Sequence, residues 1–229
     1  MGSSRAPVAA RVAVAAALLA VLAAAAWESG KRFLADASRA EVRYYVDRSN
    51  AGTLKLDAAR VDELHAQMIR AVALDPGNPR IEFELANLLF IHPDNRNFAD
   101  PAVIARRTEI RDRNARVVQL RPTYELAWGN LALARLQLSQ LDEPFFTALE
   151  LSLRYGPWNQ DVQMNAIRLG LLAWPVLPPR LQAQLRQAIH NQAHWRLSPQ
   201  AGPLRTAITA VGRKELLCLL EPEPKGCVP

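Results

Sequence analysis

The sequence predicts an all-α protein, with an N-terminal membrane helix followed by a stack of antiparallel helix pairs. Three observations carry that prediction. Apolar residues recur at i, i+3, i+4 and i+7 through successive stretches, which is the period of an amphipathic helix. Turns rich in Pro, Asp and Asn separate those stretches, and no β-branched alternating run is bounded by hairpin dipeptides. Residues 12–27 form one uncharged apolar run.

That run begins the chain's organisation. Arg5 and Arg11 precede it, the layout of a bacterial export leader or anchor. Sixteen residues rise about 24 Å as a helix. Pro7 to Ala10, with Arg11 snorkelling, extend it to the roughly 30 Å of a hydrocarbon core. Ala24-Ala25-Ala26 fits a small-residue cleavage site, so a cleaved signal stays open; no helix break precedes it, which favours a retained single-pass anchor over residues 1–29. Lys31, Arg32, Arg39 and Arg43 follow the run, so positive charge lies on both sides and orients the chain weakly. The leader-like order favours a chain whose bulk, residues 30–221, faces the periplasm from the inner membrane.

The helical domain then follows in order. Residues 30–48 form an amphipathic helix with Phe33, Leu34, Val42, Tyr44, Tyr45 and Val46, and nothing in the sequence separates it from the membrane segment. Ser49-Asn50-Ala51-Gly52 breaks it. Asp57 caps a helix carrying Val61, Leu64, Met68, Ala71, Val72 and Leu74. Leu74-Asp75-Pro76-Gly77-Asn78-Pro79 ends that unit, and a helix over about 80–91 carries Ile81, Phe83, Leu85, Ala86, Leu88, Leu89 and Phe90. A polar loop, 92–101, leads into a longer helix over 101–120. Pro122 punctuates the turn to a helix with Trp128, Leu131 and Ala132, where the small Ala lets a partner approach and Trp128 is expected in the core. Asp142 starts a return helix with Phe146, Leu149, Leu151 and Leu153, closed by Gly156-Pro157. Helices are expected to about Ala173, over 179–196, and near 202–212 and 214–220. The tail, 222–229, reads Pro-Glu-Pro-Lys-Gly-Cys-Val-Pro and is expected to be irregular.

A large residue followed three and four positions later by Leu-Ala, a return helix and a closing Pro resembles a tetratricopeptide (TPR) repeat. The same pattern appears at Leu85-Ala86 and at Leu131-Ala132, and Ala71 with Leu74-Asp75-Pro76 matches a repeat ending. The likeness covers about residues 55–200 and is sharpest at 71–89 and 115–157. Pro122 and Pro157 lie 35 positions apart, close to the 34 of a TPR unit. Pro76 and Pro122 lie 46 apart, so the 92–101 loop and the long following helix read as an insertion, of the kind that often binds something. The implied fold is a degenerate TPR-like α-solenoid. A narrower stretch, Leu153 to Gln163 with Leu169-Gly170-Leu171, Trp174 and the Leu216-Leu217-Cys218 ending, resembles the VpsP-type accessory proteins of bacterial exopolysaccharide biosynthesis. That resemblance implies partners in an inner-membrane polysaccharide assembly or export system. The alternatives are an assembly factor of another envelope pathway, such as cytochrome c maturation, and a glycan-binding or glycan-modifying helical protein.

Composition narrows the function classes. Half of the 229 residues are apolar and only 10 are Gly, enough for a sizeable helical core. The net charge of +6 is compatible with an acidic partner such as phospholipid headgroups or an anionic glycan. The basic residues are dispersed, with no dense Arg/Lys run among aromatics, which argues against nucleic-acid binding. Arg106, Arg107, Arg111, Arg113 and Arg116 alternate with Glu109 and Asp112 and read as a salt-bridged solvated face. No phosphate loop, nucleophile elbow or Cys-His pair at nucleophile spacing occurs, so no catalytic residue and no cofactor is assigned. His190 and His194 stand four apart, a spacing zinc can use, but Asn191 stands where a zinc protease has Glu, and no metal is assigned. Cys218 and Cys227, the only cysteines, lie nine positions apart. A disulfide between them would stabilise by roughly 2–3 kcal/mol; two free thiols are the alternative.

TPR stacks hold ligands in a groove lined by the first helix of each pair. By registry with that family the groove positions are Phe83, Asn87, Phe90, Gly129, Asn130, Leu133, Gln137, Gln163 and Ile167. Phe83 and Gly129 stand where carboxylate-clamping members use basic residues. The implied ligand is an extended segment or neighbouring protein met through amides and apolar contacts. The other reading is that some of these side chains touch only the next helix.

Overall fold

Polar caps and prolines decide where most helices begin. Asp57 accepts from the Arg60 amide at 2.8 Å, Asp100 from Ala102 at 2.8 Å, Asp142 from Phe145 at 3.2 Å and Asn159 from Val162 at 3.3 Å. Pro79 and Pro101 occupy the first helical position, where a missing N–H costs nothing. Gly52, Gly77 and Gly212 take left-handed backbone just after helices end. The computed structural model describes residues 5–95, 97, 99–196 and 199–221. Among these residues the chain is all-helical, with no strand.

The α-helices are α1 (Arg5–Asn50), α2 (Ala58–Leu74), α3 (Pro79–Phe90), α4 (Pro101–Leu120), α5 (Glu125–Gln137), α6 (Glu143–Tyr155), α7 (Gln160–Ala173), α8 (Pro179–Ala193) and α9 (Ala201–Ala210). Short 3-10 helices span Trp174–Val176 and Lys214–Leu220. The connections 75–78, 121–124, 138–142 and 156–159 turn the chain back sharply. Successive helices from α1 to α9 pack on one another wherever those turns join them, α1 also lies on α3, and α5 on α7. The Lys214–Leu220 helix closes the end against α8 and α9.

Helix α1 is unbroken for 46 residues, about 69 Å of rise. Its N-terminal part is one helix long and apolar enough to cross a membrane by length and composition. Leu19, Leu22, Trp27 and Phe33 are exposed, whereas Ala35, Val42 and Val46 are buried against Val61, Leu64, Met68, Ile81, Leu85 and Leu88. The spacing 35, 42, 46 keeps one stripe toward α2 and α3. Trp27 is 70% exposed and Ala35 fully buried, so the change from bare to packed takes about two turns. Residues 29 and 30 lie inside α1, so the membrane segment and the first helix of the stack are continuous.

A second apolar cluster runs through α4 to the end of the described chain, from Val117, Phe145 and Leu149 to Ile167, Leu185, Ile189 and Leu204. Trp128 differs from expectation. It is only half-buried, at the edge of this cluster, and its indole Nε1 donates to the Pro122 carbonyl at 2.7 Å. The amphipathic indole thus ties α5 to the turn that precedes it. Leu197 and Ser198, the 222–229 tail and Cys227 lie outside the described residues.

Candidate functional site

The inner line of polar side chains comes from α3 and α5. On α3, positions 83, 87 and 90 share one face because four- and three-residue steps complete two turns. Asn130 on α5 donates from Nδ2 to Asn87 Oδ1 at 2.9 Å, joining residues 43 positions apart. Glu84 lies beside them, with Arg39 of α1 at 4.0 Å. Burial raises the Glu84 pKa, while Arg43, a hydrogen bond from Asn87 and Arg39 pull the other way. Burial likewise raises that of Tyr124, whose ring stands 4.8 Å from Phe83.

The registry-derived residues therefore divide. Asn87 and Asn130 meet, and Phe90 and Gln137 share a neighbouring recess of about 420 Å³. Phe83 is buried against Tyr124, and Gly129 faces the Ser152 hydroxyl. Gln163 is buried and donates to the carbonyls of Leu153 and Gly156 at 3.0 and 2.9 Å, closing the C-terminal end of α6. At these last three positions the contact is with the neighbouring helix.

The loop between α3 and α4 is pinned from both sides. Asn95 Nδ2 donates to the carbonyls of Leu89 and Phe90, its Oδ1 accepts from Arg106, and its carbonyl accepts from Arg107 at 2.9 Å. His92 is 4% exposed, and its Nδ1 accepts from the Asp94 amide at 3.2 Å. That bond requires an unprotonated Nδ1, so this histidine is neutral with its proton on Nε2. Burial, then Arg106, hold its pKa below the usual range. Arg96 and Phe98 lie outside the described residues.

The α4 arginines only partly form a solvated face. Glu82 of α3 is 2% exposed and accepts from Arg113 at 2.7 Å and Arg116 at 3.0 Å. Arg113 also reaches Glu109, and Glu109 meets His65 of α2 at 3.1 Å. The His65 hydrogen bond is the first cause holding the Glu109 carboxyl below its ordinary range. Arg107 is buried, where desolvation lowers its pKa. This network joins α2, α3 and α4. The sequence shows the arginines, but Glu82 has no local signal because its partners lie about thirty residues on.

The His190 and His194 rings lie with centroids 4.8 Å apart and planes tilted by 57°, and both meet the end of the closing 3-10 helix. His190 Nδ1 donates to the Leu219 carbonyl at 3.2 Å and His194 Nε2 to the Glu221 carbonyl at 3.0 Å, since a carbonyl can only accept. Among the described residues no group of three or more His, Cys, Asp or Glu side chains is placed to hold a metal ion. Cys218 is half-buried in that 3-10 helix, and its pairing with Cys227 lies outside the described residues.

Farther along the chain, α6, α8 and the α6–α7 turn enclose an open cleft of about 770 Å³. Trp158 and Trp195 stand in it with ring centroids 6.2 Å apart and planes tilted by 51°. Of the registry-derived residues Gln163 alone lines this cleft; the two indoles were not in that register, because they follow helices rather than lining the first helix of a pair. The exposed Trp158 directly after Gly156-Pro157 was the available signal. No protein-family model and no curated protein matches the chain.

Proposed function

We propose that this chain is a membrane-anchored, non-enzymatic scaffold of TPR-like helix pairs on the periplasmic side of the bacterial inner membrane. In this reading it supports assembly or export of an exopolysaccharide through protein contacts. The observation that carries the proposal is the continuity of α1 from a bare apolar segment into the helical stack. A stiff connection of that kind holds the Asn87–Asn130 line at a fixed offset from the bilayer, which suits a protein that positions partners. The amides and the adjoining Phe90–Gln137 recess offer hydrogen bonds and apolar contact to an extended segment.

The test is a photo-cross-linkable residue at Asn130 of the full chain in living cells, with one at the exposed Ala183 of α8 as control. A partner trapped at Asn130 alone and identified as a glycosyltransferase or polymer-export component supports the proposal. A haem-handling partner moves the chain to the alternative envelope pathway. No trapped partner at Asn130, with exopolysaccharide output unchanged by Asn130→Arg, contradicts the protein-contact role.

A further inference from the structure

We propose that the cleft between α6 and α8 binds an acidic oligosaccharide, with uronic acid residues as the recognised units. The chemistry of its walls leads there. Trp158 is 82% exposed, the most exposed of the large apolar side chains described, and Trp195 is half-buried beside it. Two indoles tilted by 51° form an open V whose faces suit the flat apolar side of a pyranose ring. Gln187 and Asn191 lie one turn apart on the exposed face of α8, joined by a 2.8 Å hydrogen bond from Gln187 Nε2 to Asn191 Oδ1. Each amide keeps a free donor or acceptor for a hydroxyl, and their rise of about 6 Å is close to the length of one sugar unit.

Charge selects the acidic class. Arg154 and Arg196 border the cleft, both exposed and without an ion-pair partner among the described residues. The nearby carboxylate, Glu150, is already engaged by Arg180 at 2.8 Å. Two uncompensated guanidinium groups present fork geometry to a carboxylate. A peptide-docking groove offers a sheet edge or a row of aliphatic anchors, and aliphatic side chains are few here. Most of the lining side chains are polar, around two indole faces, which suits a ligand that carries many hydroxyls on an apolar ring. This binding does not rest on the protein-contact role, because the cleft lies apart from the Asn87–Asn130 line.

The test uses the full chain in a zwitterionic, non-glycosidic detergent. It is titrated with oligogalacturonate, with a neutral galacto-oligosaccharide of equal length, and with an oligoglutamate peptide. Indole fluorescence and calorimetry read the binding. Oligogalacturonate is expected to saturate the cleft and the neutral oligosaccharide to bind about tenfold more weakly. Trp158→Ala and Arg154→Gln should each weaken the acidic ligand about tenfold with the melting temperature unchanged, since both side chains are exposed, and Asn130→Ala should have no effect. Absence of saturable oligogalacturonate binding overturns the proposal. So does equal or tighter binding of oligoglutamate, which would make the cleft an acidic-peptide site, or binding insensitive to Trp158→Ala and Arg154→Gln.

Discussion

Replacing Gly170 by Ala tests how closely α7 and α8 approach. A Cβ at this position would stand 2.3 Å from Leu185 Cδ1, 2.9 Å from Cδ2 and 3.1 Å from Cγ. Leu185 is 1% exposed and enclosed by the larger apolar cluster, so it cannot swing aside freely. Overpacking costs about 1–3 kcal/mol, and a contact this close to an enclosed side chain puts it at the upper end, about 2–3 kcal/mol. Ala regains about 1 kcal/mol of helix propensity over Gly. The net expectation is destabilisation of about 1–2 kcal/mol, or a fall in melting temperature of about 3–6 °C for a chain of this size. Thermal and urea denaturation followed by circular dichroism measure it. Leu185→Ala alone should cost about 2–5 kcal/mol. Combined with Gly170→Ala, it should cost at least about 1 kcal/mol less than the sum, because the new methyl enters the vacated space. Gly30→Ala is the control, since its Cβ meets nothing within 4 Å and it should be neutral or slightly stabilising. A neutral or stabilising Gly170→Ala, with additive behaviour in the cycle, would refute the close approach.

The other predictions follow from the polar contacts. Glu82→Ala leaves Arg113 and Arg116 without their shared carboxylate and should cost about 2–3 kcal/mol, less than for a wholly buried pair because Arg116 is half-exposed; chemical denaturation measures the loss. His92 is held neutral, with a folded pKa below the unfolded value of 6.5. Its contribution is complete above about pH 6.5 and is lost as pH falls through the depressed folded pKa. Hydrogen exchange should show the segment 91–95 opening over that interval, and His92→Gln should reduce the dependence. His190→Ala and His194→Ala each remove a hydrogen bond to the last 3-10 helix and should cost about 1 kcal/mol. Faster proteolysis within 214–220 is the readout.

Much of the helical order was legible because its signals are local. Asp57, Asn78-Pro79, Asp100-Pro101 and Asp142 mark helix starts by capping geometry, and Gly52 and Gly77 mark ends. The unbroken passage of α1 through residues 29 and 30 was open in the sequence, since polarity changes there without any helix breaker. Side-chain roles that depend on distant partners were less legible. Gln163 sits at a groove register, yet its amide serves the end of α6 ten residues back. His190 and His194 carry a metal-like spacing, but what their rings meet is set by a helix about thirty residues later. Trp128 is expected in the core from its repeat position, where one helix meets its neighbour, but its N–H needs a partner and finds the Pro122 carbonyl at the edge. The Trp158–Trp195 cleft combines residues 37 positions apart and has no repeat register to announce it.

The scaffold role proposed for this chain depends on α1 serving at once as membrane element and first pillar of the stack. The most direct measurement is a pulsed dipolar distance between spin labels at Leu19→Cys and Arg48→Cys, in full chain expressed in cells, purified into bilayers and carrying Cys218→Ser and Cys227→Ser. An unbroken helix predicts one narrow distribution centred near about 44 Å. A shorter or bimodal distribution would place a joint between anchor and stack, and loss of the dipolar signal through cleavage after Ala26 would remove the anchor altogether.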